Sequence, residues 1–202
     1  ERDTSALNFA GALAFHSGGN DIQNGIYGGF GGLYACNFQE TGGANHNPSF
    51  VWRKSFFCFS NQIISLGSNI ADNDAANPTV TTLFQSQLAS TSTAVMLNGS
   101  SITAFPYSLT NNDTTAVWLL DPQGTGYFVR PGSPLRLNRT AQISPNQSGN
   151  GAFSTNNYAT AWIDHGTAPT GTGYEYVVIP GTTSTAMSQL AANYINPSTT
   201  PY

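Results

Sequence analysis

Three histidines, ten carboxylates and a single lysine, Lys54, make up most of the proton-transfer and metal-binding chemistry in this 202-residue chain. The histidines are His16, His46 and His165. The most suggestive pair is Asp164-His165, within Trp162-Ile163-Asp164-His165-Gly166. Neighbours on a strand point to opposite faces, so the two cannot form a dyad with each other. Asp72-Asn73-Asp74, between Asn69 and Asn77, offers closely spaced oxygen ligands of the kind calcium takes. The glutamate that closes a calcium loop is missing, so a polar turn is expected. Gly25-Ile26-Tyr27-Gly28-Gly29-Phe30-Gly31-Gly32 is glycine-rich. No lysine follows it and no helix starts there, so it is not a phosphate loop. His16-Ser17-Gly18-Gly19-Asn20-Asp21 reads as an exposed polar loop that could touch a sugar. No serine lies in a nucleophile elbow. No pair of carboxylates stands out for glycoside hydrolysis. The residues name no catalytic group, no metal site and no cofactor.

Cys36 and Cys58 leave two readings open. A hairpin centred on Asn47 would set residues whose numbers sum to 94 opposite each other, and these two would then meet at disulfide distance. Otherwise both are thiols acting as small hydrophobes. Four sequons stand at Asn98, Asn112, Asn138 and Asn146, about as many as chance gives a chain this rich in Asn, Ser and Thr. They are candidate N-glycosylation sites that do not by themselves indicate a secreted source.

The elements that must position these groups read as strands. Short β-rich runs separated by turn residues lie at 32–38, 52–59, 62–68, 80–87, 94–97, 116–120, 127–129, 135–143, 159–164 and 174–179. Asp121-Pro122-Gln123-Gly124 is a hairpin turn. The one helical stretch is Ser184–Tyr194, with Met187, Leu190, Ala191 and Tyr194 at helical spacing and Asn196-Pro197 to stop it. Many strands and one short helix predict an antiparallel all-β sandwich, a single domain over 1–202. Ser55–Phe59 is apolar on both faces, which predicts a strand covered on both sides.

Composition excludes several classes. Six cations and a net charge of -4 do not suit a protein that tracks nucleic-acid phosphates. No apolar run approaches the roughly 20 residues of a membrane helix. Aromatic residues form 12% of the chain, enough to build a core and to argue against disorder. Low charge with abundant Thr, Asn and Gly suits an extracellular β protein that handles sugars.

The strand sequences resemble those of the chondroitin and hyaluronan lyases. The likeness rests on Arg53-Lys54-Ser55-Phe56-Phe57-Cys58-Phe59 followed by Ile63-Ile64-Ser65-Leu66-Gly67-Ser68-Asn69-Ile70. Blocks in matching order are Phe9-Ala10-Gly11, Gly25-Ile26-Tyr27-Gly28, Thr81-Thr82-Leu83-Phe84-Gln85, Ala161–Pro169 and Tyr174–Pro180. The resemblance implies the later part of a central β supersandwich, which in that family lies between a helical toroid and a smaller β domain. It implies β-elimination on uronic-acid-containing polysaccharides, with a tyrosine, a histidine, an asparagine and an arginine moving the protons. Those groups fall mostly in the toroid, and no position here matches them. No catalytic residue is therefore carried over, and the chain by itself is expected to be inactive. The partner implied is a polysaccharide, together with a companion helical chain or further copies of this one, in a secreted setting. Two other readings stand beside this one: a lectin-like carbohydrate-binding module, and a self-assembling extracellular structural protein. Neither nucleic acid nor membrane is expected as a partner.

Overall fold

The computed structural model describes residues 7–15, 31–40, 47–59, 61–112, 114–145 and 153–195. The loop at His16–Asp21, the glycines from Gly25 to Gly29, His46, Asn146 and the tail from Asn196 lie outside the described residues. Among the described residues, thirteen strands and one helix divide between two compact units, 1–80 with 165–179, and 81–164 with 180–202.

The first unit holds an antiparallel run of five strands: β1 (Leu7–Phe15), β2 (Gly31–Gln39), β3 (Val51–Phe59), β4 (Gln62–Ala71) and β13 (Thr170–Ile179), in the order β1-β2-β3-β4-β13. Cross-strand rows repeat along it. Cys36 faces Lys54, Lys54 faces Gly67, and Gly67 faces Tyr174. The next row on the same face is Tyr34, Phe56, Ser65 and Tyr176. Phe38 stacks on Trp52 one row the other way, with centroids 4.7 Å apart. Ser55 to Cys58 are half-buried and Phe59 is 55% exposed, so β3 is less covered than its apolar sequence predicts.

The β2–β3 register corrects the disulfide expectation. Cys36 lies opposite Lys54, and Cys58 lies opposite Gly32. Both thiols are unbonded. The hairpin closes where Glu40 N–H donates to Phe50 O at 2.9 Å, so it is centred on residue 45 rather than on Asn47. That two-residue displacement moves the facing residue by four positions, and the cysteines no longer meet.

The second unit has a sheet ordered β5-β12-β11-β8, from β5 (Pro78–Gln87), β12 (Phe153–Thr167), β11 (Leu135–Pro145) and β8 (Tyr107–Asn111). It also holds the run β10-β9-β6-β7, from β10 (Gly126–Val129), β9 (Val117–Leu120), β6 (Val95–Leu97) and β7 (Ser100–Ile102). Leu135, Leu137, Ala159, Ala161 and Ile163 alternate inward along β11 and β12 and are fully buried. The turn at 121–124 forms as expected. Gly124 N–H donates to Asp121 O at 3.1 Å, and Gly124 takes the φ of +83° that the turn requires. The helix α1 (Ser184–Ile195) is capped by Thr183, whose Oγ1 accepts from Ala186 N–H at 3.2 Å. Met187 and Ala191 are buried and Leu190 is half-buried, the stripe its spacing predicts.

Candidate functional site

The acidic loop is a turn closed on itself. Asp72 Oδ1 accepts Asp74 N–H at 2.7 Å, and Asp72 Oδ2 accepts the Thr79 hydroxyl. Asp74 Oδ1 accepts Ala76 N–H at 2.8 Å and Asn77 N–H at 3.1 Å, while its Oδ2 accepts Asn77 Nδ2 at 2.8 Å. The hydrogen bonds from Asn77 and Ala76 hold the Asp74 carboxyl below its usual range. Asp72 N–H and Asp74 O are bound in turn to Pro169 O and Ala168 N–H. All four carboxylate oxygens of Asp72 and Asp74 accept from protein donors, the arrangement of a closed polar turn. Among the described residues no group of three or more His, Cys, Asp and Glu could hold a metal.

Asp164 and His165 part company as the strand alternation requires. Asp164 accepts Arg136 Nε at 3.0 Å from the neighbouring strand. His165 instead lies against the Tyr174 ring, with centroids 6.0 Å apart.

A cluster that the sequence reading did not assemble surrounds Lys54. Its Nζ lies over Trp52, Phe56 and Tyr174, at 5.6, 5.5 and 5.9 Å from the ring centroids. Trp52 and Phe56 flank it at i±2, on the same strand face. Tyr174 comes from β13 and reaches it because Gly67, its register partner, has no side chain; the ring occupies the space a Cβ would take. Burial lowers the Lys54 ammonium below its ordinary value, with Cys36 partly offsetting this. The rings hold the cation by their negative faces, which is worth about 0.5–2 kcal/mol per contact. Burial also pushes the phenols of Tyr174 and Tyr176 upward, opposed by the adjacent Ser65 hydroxyl. Tyr174 OH and Ser65 Oγ are buried without a well-formed hydrogen bond. A tyrosine acting as a general base needs its pKa brought down towards the working pH. These two move the other way, and what the geometry shows of the cluster is cation and rings binding neighbouring strands together.

Among its described residues the second unit carries open clefts, two of which are well defined. One, of about 370 Å³, is lined by Pro106, Tyr107, Ser108, Asn138 and Thr140. The sequon residue Asn138 stands in its wall. The other, of about 410 Å³, is lined by Thr115, Ala116, Phe128, Arg130, Pro131 and Tyr194. Of the remaining sequon residues, Asn112 is exposed. Asn98 sits in the two-residue turn between β6 and β7, at φ +48°, and its Oδ1 accepts Trp118 N–H at 2.8 Å. Within the described residues, then, the geometry gives an aromatic cage around a lysine and two surface clefts.

Known proteins give this scaffold a context. Residues 6–191 match polysaccharide lyase family 8, super-sandwich domain. The chain is 31% identical over 162 residues to the chondroitin sulfate ABC endolyase of Proteus vulgaris, covering 80% of this chain but only 15% of that protein. Among solved structures, a Paenibacillus xanthan lyase superposes with a TM-score of 0.64 at 27% identity, over 83% of this chain and 17% of that one. A chondroitinase AC lyase shares the fold with a TM-score of 0.67 at 23% identity, over 94% of this chain and 24% of that one. With nearly its whole length in the match, this chain belongs to polysaccharide lyase family 8, through its super-sandwich domain.

Proposed function

We propose that these 202 residues are the sandwich portion of a secreted polysaccharide lyase that cleaves uronic-acid-containing polymers such as chondroitin or hyaluronan by β-elimination. The super-sandwich match over residues 6–191 carries this reading. The relatives' printed activities, on chondroitin sulfate and xanthan, support the substrate class. In this proposal the sandwich is a scaffold and a helical catalytic part supplies the chemistry. β-Elimination needs a base at the sugar C5, an acid at the leaving oxygen and a positive partner for the uronate carboxylate. The candidate histidine and acids that can be placed are engaged elsewhere: Asp164 with Arg136, His165 against Tyr174, Asp72 and Asp74 in their own turn.

The test is an assay for unsaturated uronate ends on chondroitin, hyaluronan and xanthan. The 202-residue chain alone is expected to release none. A polypeptide or complex that joins it to a helical toroid is expected to release them. Turnover by the chain alone would show that the chemistry resides in these residues after all. Absence of turnover on every uronate polymer with the toroid present would remove the lyase reading.

A further inference from the structure

β11 outruns its neighbour on one side. β12 pairs with it along its whole length, from Leu135↔Ile163 to Pro145↔Phe153. β8 pairs only with Leu135–Arg139, ending at Tyr107 opposite Arg139. Among the described residues no strand flanks Thr140–Pro145 on that side. Two hydrogen bonds fix which way this stretch presents its backbone. Asp164 N–H donates to Pro134 O at 2.8 Å, and Asn157 O accepts Leu88 N–H at 2.8 Å from the β5 side. Even-numbered residues of β12 therefore face β11, and odd-numbered ones face away. The register pairs even with even, so in β11 it is Ala141, Ile143 and Pro145 that turn their backbone groups to the open edge. The side chains of Ile143 and Phe153 stand on the sheet face that Leu135, Leu137, Ala161 and Ile163 fill as core. They lie past the end of that core, 69% and 67% exposed.

An open edge beside an apolar face is usually blunted by charge, lysine above all. This stretch has Pro145, which removes one donor, and no charge: from Thr140 to Ile163 the chain carries no charged residue. The missing charges also favour one occupant. In a two-fold contact each residue lies close to its own copy, so a charge there would face its like. This edge can meet itself without that cost. We propose that the β11 edge pairs antiparallel with the β11 edge of a second copy of this chain, about a two-fold axis at Ile143. An axis at Gln142 would set the copy's Pro145 opposite Arg139, where Tyr107 already lies. An axis at Ile143 sets it opposite Ala141 and clears β8. The two Ile143 residues then exchange N–H···O bonds, and each Ala141 N–H donates to the copy's Pro145 O. The Ala141 carbonyl, which a proline cannot serve, accepts the Thr140 hydroxyl at 3.5 Å. The two Ile143 side chains meet across the axis as a cross-strand apolar pair. The pairing does not rest on the lyase reading above.

One short ladder is a small contact beside the roughly 1,200–2,000 Å² of a stable complex, so the pair should be weak, with dimer appearing between about 0.1 and 1 mM. The 202-residue chain is followed by sedimentation velocity from about 10 µM to about 1 mM, in about 0.15 M salt. Monomer is expected to pass to dimer and to nothing larger, because a two-fold pairing uses up the edge. Ile143→Lys sets two ammonium groups face to face and should weaken association about tenfold or more. Ile143 is mostly exposed, so the thermal midpoint of the dilute variant should equal that of the parent chain. Thr82→Lys, exposed on β5 at the other edge of the same sheet, should leave association unchanged. Ile143→Cys should give a disulfide-linked dimer on mild oxidation, since paired strand positions lie within disulfide reach, and mass spectrometry should find the linked peptides joined through position 143. A dimer that Ile143→Lys leaves intact, or that Thr82→Lys removes, would overturn the proposal. Growth past the dimer would do the same, and a monomer throughout would leave this edge to a strand of some other polypeptide.

Discussion

Arg139 is the largest fully buried side chain of the described residues, and it takes a charge into the interior. Its NH2 donates to Thr91 O at 2.8 Å and Thr93 O at 2.6 Å, and its NH1 donates to Ala104 O. One guanidinium therefore ties two loop segments to β11. Arg139→Leu keeps most of the bulk but strands three carbonyls. It is expected to cost about 3–5 kcal/mol in chemical denaturation, since a buried polar group left unpaired carries its full desolvation cost. A loss under about 1 kcal/mol would mean that water replaces the guanidinium, and that Arg139 is not what ties the two segments to β11. The two buried tyrosines give a second prediction. In the unfolded chain a phenol titrates near its ordinary value of 10.0; folded, Tyr174 and Tyr176 hold their protons to higher pH. Above about pH 10 the unfolded state alone loses those protons, so stability is intact below that pH and falls as pH rises beyond it. Lys54 acts in the opposite sense, its depressed value making stability rise as pH climbs towards 10.5. Thermal midpoints from pH 9 to 11.5 should show the fall. The double variant Tyr174→Phe, Tyr176→Phe should flatten it, and an unchanged slope there would place the alkaline sensitivity elsewhere.

Elements with strong β-branched or aromatic content were legible in the sequence; those held by their neighbours were not. β3, β4, β9 and β13 announce themselves by runs such as Trp52–Phe59 and Val117–Leu120. β1 is Leu-Asn-Phe-Ala-Gly-Ala-Leu-Ala-Phe, without a single β-branched residue, and it is extended because β2 pairs with it from Phe15↔Gly31 to Leu7↔Phe38. The first half of β12, Phe153–Tyr158, contains Asn156-Asn157, poor strand formers carried by β11 through Gln142↔Asn156 and Ala141↔Asn157. The β6–β7 hairpin did have a local sign: Asn98-Gly99, at φ +48° and +88°, is the pair a tight two-residue hairpin turn prefers. For the candidate sites, the half of the Lys54 cage on β3 is readable at i±2. The Tyr174 half is not, because register and Gly67 bring it there from the far end of the chain. Gly126 is the matching case at the helix. A Cβ at that position would meet Met187 Sδ and the Thr182 methyl, so α1 can lie close to β10 only over a glycine. Gly126→Ala should cost about 1–3 kcal/mol by overpacking. A compensating Met187→Ala, which opens the space again, should recover part of the loss. If the two losses simply add in a double-mutant cycle, the close approach is not what makes Gly126 necessary.

At the scale of the whole molecule the charge works against the ligand class proposed here. The net charge is -4, carried by ten acids against six cations. An acidic polysaccharide of the class proposed above is therefore repelled by the chain as a whole. That repulsion is felt beyond about 10 Å, and salt near 0.1 M screens it. A protein that steers an anion by a broad basic surface shows the reverse, an association rate that drops steeply with salt. Raising salt from about 20 to 200 mM should leave the association rate of a hyaluronan tetrasaccharide with this chain level or slightly faster, because the screened term is repulsive. Surface plasmon resonance at a series of salt concentrations measures it. An association rate that drops tenfold over this range would mean that a local positive field outweighs the net charge, and the sandwich would then be steering the polymer itself.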